Sequence, residues 1–137
     1  MGFWSKLRAS IAKRNSLLCV GLDVRPDLIP SSYQGIADFG RGIIEATADY
    51  ACAYKPNIAF YEALGLEGLE ALGDILSAIP PDTPVILDAK RNDIASTAAA
   101  YARAAFDVWG VDALTVNPYL GADGISPFAE YHDRGLF

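Results

Sequence analysis

Short apolar runs alternate along the chain with longer stretches in which apolar residues recur every three or four positions. The runs are Leu17 to Leu22 (LLCVGL), Cys52 to Lys55, Val85 to Leu87 and Ala113 to Asn117. They are short and continuous rather than alternating, which predicts strands buried on both faces of a parallel sheet. Phe3, Leu7 and Ile11 stand four residues apart and predict an amphipathic opening helix that ends near Asn15. Ala37 to Ala51 reads as a second helix, with Phe39, Ile43, Ile44 and Thr47 on one side. Leu66, Leu69, Leu72, Ile75, Leu76 and Ile79 define a third, stopped by Pro80 and Pro81. Ala95 to Trp109 is Ala-rich and helical, with Gly110 as its stop. Ser126 and Pro127 predict the N-cap and first turn of a last helix that Gly135 closes.

The predicted order is therefore a helix followed by four βα units, with strand starts roughly 30 residues apart, the size of one such unit. Alternation of this kind implies an α/β fold with a parallel sheet. Two architectures meet the pattern, an open doubly wound sheet and part of a (β/α)8 barrel. After the first strand stands Gly21-Leu22-Asp23, not a Gly-rich dinucleotide fingerprint, which weakens the dinucleotide-binding option.

Composition narrows the class. The chain has 137 residues, 52% hydrophobic and 20% charged, so one packed domain over residues 1–137 is expected. Eleven basic against seventeen acidic residues give a net charge of 11 − 17 = −6. Such a chain is poorly suited to nucleic acid or to an anionic membrane surface, although loop amides and one or two cations can still hold a phosphate. It has no 18-residue apolar run, and Met1 to Arg14 lacks the apolar core of a secretory signal, so a cytoplasmic address is expected. Cys19 and Cys52 are read as two buried, reduced thiols. With one histidine and no cysteine cluster, no metal site is expected.

The chemistry lies where polar residues end the apolar runs. Asp23, Lys55, Asp88 and Asn117 each stand at the carboxyl end of a predicted strand. In parallel β/α folds those ends converge on one rim, where active sites are built. In Asp88-Ala89-Lys90, residues i and i+2 of an extended chain face the same way, and Asp93 begins the next helix. A carboxylate, an ammonium and a second carboxylate are then expected in one small volume, with Lys55 alongside. Opposite charges keep one another ionised. That suits a reaction needing a fixed cation to deliver a proton and fixed anions facing a substrate carboxylate. A purely structural ion-pair network is the competing explanation.

Leu87 to Thr97 (LDAKRNDIAST) closely resembles the D-x-K-x-x-D signature of orotidine 5'-phosphate decarboxylases. Cys19 to Asp23 (CVGLD), Ala53 to Phe60 (AYKPNIAF) and Leu114 to Leu120 (LTVNPYL) resemble that family's first, second and fourth strand segments. KPN and TVNPYLG point to its longer bacterial branch. Asn92 stands where the family usually has Gly, and as the next best residue for left-handed backbone it is expected to preserve the loop.

The resemblance implies a (β/α)8 barrel, conversion of orotidine 5'-monophosphate to uridine 5'-monophosphate and CO2, no metal and no organic cofactor. It implies a homodimer with shared active sites. Asp23 and Lys55 would hold ribose hydroxyls, with Lys55 also in the charged array. Asp88 would face the departing carboxylate, and Lys90 would stabilise and then protonate the carbanion at C6. Asp93 and Thr97 would reach into the partner's site, and Asn117 would line the pyrimidine end. A barrel needs about 250 residues. The chain is therefore expected to be the N-terminal half, the first four βα units, with the phosphate-gripping loops of later strands absent and little activity alone. Two alternatives stand beside this reading. One is a Mg-dependent sugar-phosphate decarboxylase or aldolase of the same barrel group. The other is a truncated, inactive half-barrel or assembly partner.

Overall fold

A computed structural model describes all 137 residues. The strands are β1 (Leu18–Gly21), β2 (Ala51–Lys55), β3 (Ile86–Arg91), β4 (Ala113–Val116) and β5 (Gly135–Leu136). The helices are α1 (Phe3–Arg14), α2 (Ile36–Thr47), α3 (Ile58–Glu62), α4 (Gly65–Ala78), α5 (Ala95–Arg103) and α6 (Ala122–Ala129). All strand pairing is parallel. β1 pairs with β2, and β3 with β4 and β4 with β5, while single bridges at Tyr54–Val85 and Asn57–Asp88 join the two groups. The strands thus lie side by side in chain order. A doubly wound sheet reverses its order partway; this one does not, so the winding is that of a barrel wall.

Helices cover one face of this wall. Leu87 and Leu114 from the strands join Ile58, Leu72, Ile75, Ala98, Ala105, Phe106 and Phe128 from the helices and the turns beside them in a single buried cluster. Tyr54 also points to the helices, where its hydroxyl meets Thr47 Oγ1 at 2.9 Å and the Ile44 carbonyl at 3.2 Å. By the two-residue period of a strand, Lys55, Asp88 and Thr115 then face the other way.

Helix α1 crosses the amino ends of the strands. Ser10 donates to the Cys52 carbonyl at 2.8 Å, Lys6 pairs with Asp112 at 2.8 Å, and Arg14 donates to Thr83 Oγ1 at 2.6 Å. Phe3 packs on Gly135, where a Cβ would lie 2.5 Å from its ring. One end of the wall is therefore closed, and the carboxyl-end rim stays open.

Several expectations are corrected. The second helix stops at Thr47, short of Ala51, because Ala51 is needed in β2. The predicted third helix is α4, and a short helix that the periodicity did not predict, α3, precedes it across a turn ending at Gly65 (φ +67°). Helix α5 widens into a π-helical turn at Ala104–Val108. Ser126 and Pro127 do not begin the last helix. Gly121 caps it, Ser126 donates to the Ala122 carbonyl, and Pro127 lies inside. Gly135 does not close that helix but opens β5. Strand β1 is mostly exposed rather than buried, because it is the sheet's edge, and Cys19 is exposed with it while Cys52 is buried. No helix is long and apolar enough to cross a membrane.

Candidate active site

Three of the expected residues meet at the rim. Asp88 is buried at 8% exposure, and its two carboxylate oxygens take different cations. Lys55 Nζ lies 3.1 Å from Oδ2, and Lys90 Nζ lies 2.5 Å from Oδ1. The Thr115 hydroxyl donates to Oδ1 at 2.9 Å. Burial pushes the Asp88 pKa up, but the hydrogen bonds from Lys90, Lys55 and Thr115 outweigh it and hold the carboxyl down to about 2. Asp88 is thus an anion at neutral pH, clamped between two ammoniums.

Backbone irregularity creates this geometry. Leu87 pairs with Leu114 and Arg91 with Val116, so four steps along β3 match two along β4. The surplus is a bulge, a device that re-aims side chains beside active sites. Within it Lys90 adopts φ +48°, a left-handed conformation rare for a residue with a Cβ. The expected pairing of Asp88 and Lys90 is present, but it arises from this kink rather than from a regular extended strand. The left-handed residue is Lys90 and not Asn92.

The remaining candidates bond to other partners than the clamp. Asp23, just past β1, accepts the Asn57 amide at 3.1 Å and so ties the first two strand ends together. Asp93 makes no ion pair with Lys55 or Lys90 in this chain, whose ammoniums are both paired with Asp88. Beyond the kink the chain turns towards α6, and Asp93 Oδ1 accepts the next amide, Ile94, at 2.7 Å. Thr97 is half-buried in the first turn of α5. Asn117 is exposed, and its Oδ1 accepts the Tyr119 amide at 3.0 Å, a local turn, while its own amide donates to the Arg91 carbonyl at 3.0 Å. The clamp therefore holds two ammoniums against one carboxylate.

Sequence reasoning missed Thr115 and Asn57. Both lie beside predicted residues, but a strand Thr and a loop Asn carry no charge signal. Arg91 pairs with Glu62 at 2.6 Å and stacks 4.6 Å above the Tyr101 ring centre. It anchors the end of β3 to α3 and α5. Tyr61 is buried and donates to the Leu22 carbonyl at 2.6 Å; burial, and then the nearby Asp23 charge, push its pKa up.

A parallel barrel-type wall with a lysine–aspartate–lysine clamp at its carboxyl rim places the chain in the class of β/α-barrel proteins, whose active sites are built at that rim. Comparison with known proteins makes the assignment specific. Residues 16–137 match the model of the "Orotidine 5'-phosphate decarboxylase / HUMPS family", and the chain belongs to that family. It is 55% identical to orotidine 5'-phosphate decarboxylase of Thermomicrobium roseum, over all of this chain and 50% of that protein. It is 52% identical to the Herpetosiphon aurantiacus enzyme of the same name, over 98% of this chain and 52% of that one. Among solved structures, the putative orotidine-monophosphate-decarboxylase of Toxoplasma gondii superposes with TM-score 0.94 at 45% identity, over 99% of this chain and 47% of that one. The Leishmania donovani OMP decarboxylase gives TM-score 0.89 at 44% identity, over 100% and 52%. The chain thus spans about half the length of the curated relatives it matches.

Proposed function

We propose that this chain supplies the charged half of an orotidine 5'-monophosphate decarboxylase site, releasing CO2 and forming uridine 5'-monophosphate. The observation that carries the reading is the Lys55–Asp88–Lys90 clamp at the strand ends. Loss of CO2 leaves an electron pair on the pyrimidine C6, and an ammonium already held in place stabilises that charge without reorganising. Lys90 is the group for this role, since it is the more exposed of the two lysines and can give a proton to C6 afterwards. Asp88 holds the Lys90 ammonium in place and faces the substrate carboxylate. Asp23 and Lys55 are suited to ribose hydroxyls, and Asn117 to the pyrimidine end. Binding energy from the remote phosphate would position the reacting ring.

The two-to-one charge ratio leaves room for a second carboxylate. In this reading Asp93 and Thr97 supply it and its neighbour to the partner's clamp in a homodimer. The first four βα units with α1 form half of a (β/α)8 barrel domain. The other half adds the phosphate grip and covers the inner face. No metal or organic cofactor takes part, and the setting is the cytoplasm. Both Asp88 oxygens are already engaged by ammoniums, which argues against the Mg-dependent sugar-phosphate reading for this site.

The test is release of labelled CO2 from carboxyl-labelled orotidine 5'-monophosphate. The chain would be assayed alone and mixed with the C-terminal half of the Thermomicrobium roseum relative. Turnover in the mixture, unaffected by a chelator, is expected. No turnover in either preparation, or turnover of a sugar phosphate requiring Mg2+, would overturn the reading.

A further inference from the structure

We infer that Thr115 is a positioning residue for the Asp88–Lys90 pair. This deepens the decarboxylase reading and rests on it for its catalytic consequence, but the geometry stands by itself. A hydroxyl has one proton to donate and two lone pairs. The Thr115 Oγ1 uses all three. It accepts the Ala89 amide at 2.9 Å and the Lys90 amide at 3.0 Å, and donates to Asp88 Oδ1 at 2.9 Å.

Each bond has a reason in the bulge. Two surplus residues in β3 have lost their ladder partners on β4. Their amides would face a strand that offers no carbonyl in register, and unpaired amides inside a fold are costly. The Thr115 side chain, from the β4 residue that faces the bulge, takes the place of those carbonyls. With both lone pairs occupied by amides, its proton has one direction left, towards Asp88. The backbone conformation that aims Lys90 and the carboxylate that receives it are thereby set by one atom. Thr115 has no hydrogen-bonding capacity left for a substrate, so its action runs through Asp88 and Lys90. Threonine is also stiff at χ1, which keeps this three-way arrangement in one rotamer.

The test compares Thr115→Val, which keeps shape and loses the hydroxyl, with Thr115→Ser, which keeps the hydroxyl, and Thr115→Ala as a second hydroxyl-free variant should the valine protein not fold. Carboxyl-carbon NMR on the isolated chain would follow the Asp88 titration, and amide exchange would follow Ala89 and Lys90. Without the hydroxyl, the Asp88 midpoint is expected to move up towards the ordinary carboxylate range and both amides to exchange faster. Serine is expected to restore both. In the preparation that decarboxylates, kcat is expected to fall about 10- to 100-fold for the hydroxyl-free variants, the loss of a hydrogen bond to a charged group, with KM nearly unchanged. A hydroxyl-free variant with a wild-type Asp88 titration, wild-type exchange of both amides and wild-type kcat would overturn the inference. Absence of turnover in the unmutated protein would overturn the decarboxylase reading instead, leaving the NMR comparison to decide Thr115.

Discussion

Lys90 Nζ meets Asp88 Oδ1 across a single intervening residue because the Lys90 backbone is left-handed, with φ +48° inside a two-residue bulge. A side chain in that region costs about 1 kcal/mol or more, and such strain is characteristic of functional sites. The packing around the kink sustains it. Thr115 caps its amides, the Arg91 carbonyl takes the Asn117 amide, and Arg91 itself is held by Glu62 and Tyr101.

Replacing Lys90 by alanine removes the cation proposed to face C6. Decarboxylation should fall by at least about 10^3-fold, at the upper end of the loss seen when one preorganised charge donor is deleted. Nucleotide binding, measured by calorimetry, should remain detectable, because the Asp23 and Lys55 contacts are untouched. Near-normal turnover in this variant would remove Lys90 from the mechanism.

Acid stability gives an independent check on the clamp. The Asp88 carboxyl titrates near 2 in the folded protein, below its ordinary value of 3.8. A depressed folded pKa contributes stability that is complete above the unfolded pKa and is lost as pH falls towards the folded one. Asp82, bonded to Lys13 and Arg14, is also held down to about 2 and adds to the same fall. Urea midpoints between pH 5 and pH 2 (about the window these two pKa values span) should therefore decline in the unmutated chain. Asp88→Asn should be less stable at neutral pH and decline less steeply. Parallel curves for the two proteins would show that Asp88 is not clamped in solution.

Asn92 and Gly124 form a tight joint between the loop that follows β3 and the first turn of α6. Asn92 Oδ1 accepts the Leu120 amide at 3.0 Å, and a Cβ on Gly124 would stand 2.4 Å from Asn92 Nδ2 and 3.1 Å from the Asp93 carbonyl. Gly124→Ala should cost about 1–3 kcal/mol in chemical denaturation, the usual penalty for overpacking. The cost should shrink when Asn92 is also alanine, since the obstructed amide is gone and neighbouring sites are not additive. Strictly additive losses would mean that the two residues do not touch.

Tyr61 links α3 to the strand end that carries Asp23, through its bond to the Leu22 carbonyl. Tyr61→Phe keeps the ring and deletes the hydroxyl. The expected loss is about 1–2 kcal/mol by urea denaturation, because a buried carbonyl is left without its partner. A loss within error would place water in the hydroxyl's position.

The sequence by itself determined the parallel α/β alternation, the family signature, and the residues Lys55, Asp88 and Lys90 that the structure brings together. Those features are local. Periodicity, turn residues and the placement of charges at the ends of apolar runs are set by which side chains follow one another. The barrel-type strand order, the bulge, the left-handed Lys90 and the three bonds of Thr115 were decided by tertiary structure. Each depends on which carbonyls and amides face one another across strands about 25 residues apart in the chain, close to the size of one βα unit. Asp93 shows the same division. Its spacing from Lys90 is local, whereas the approach of its carbonyl to Gly124 in α6 was set by the course of the backbone after the kink.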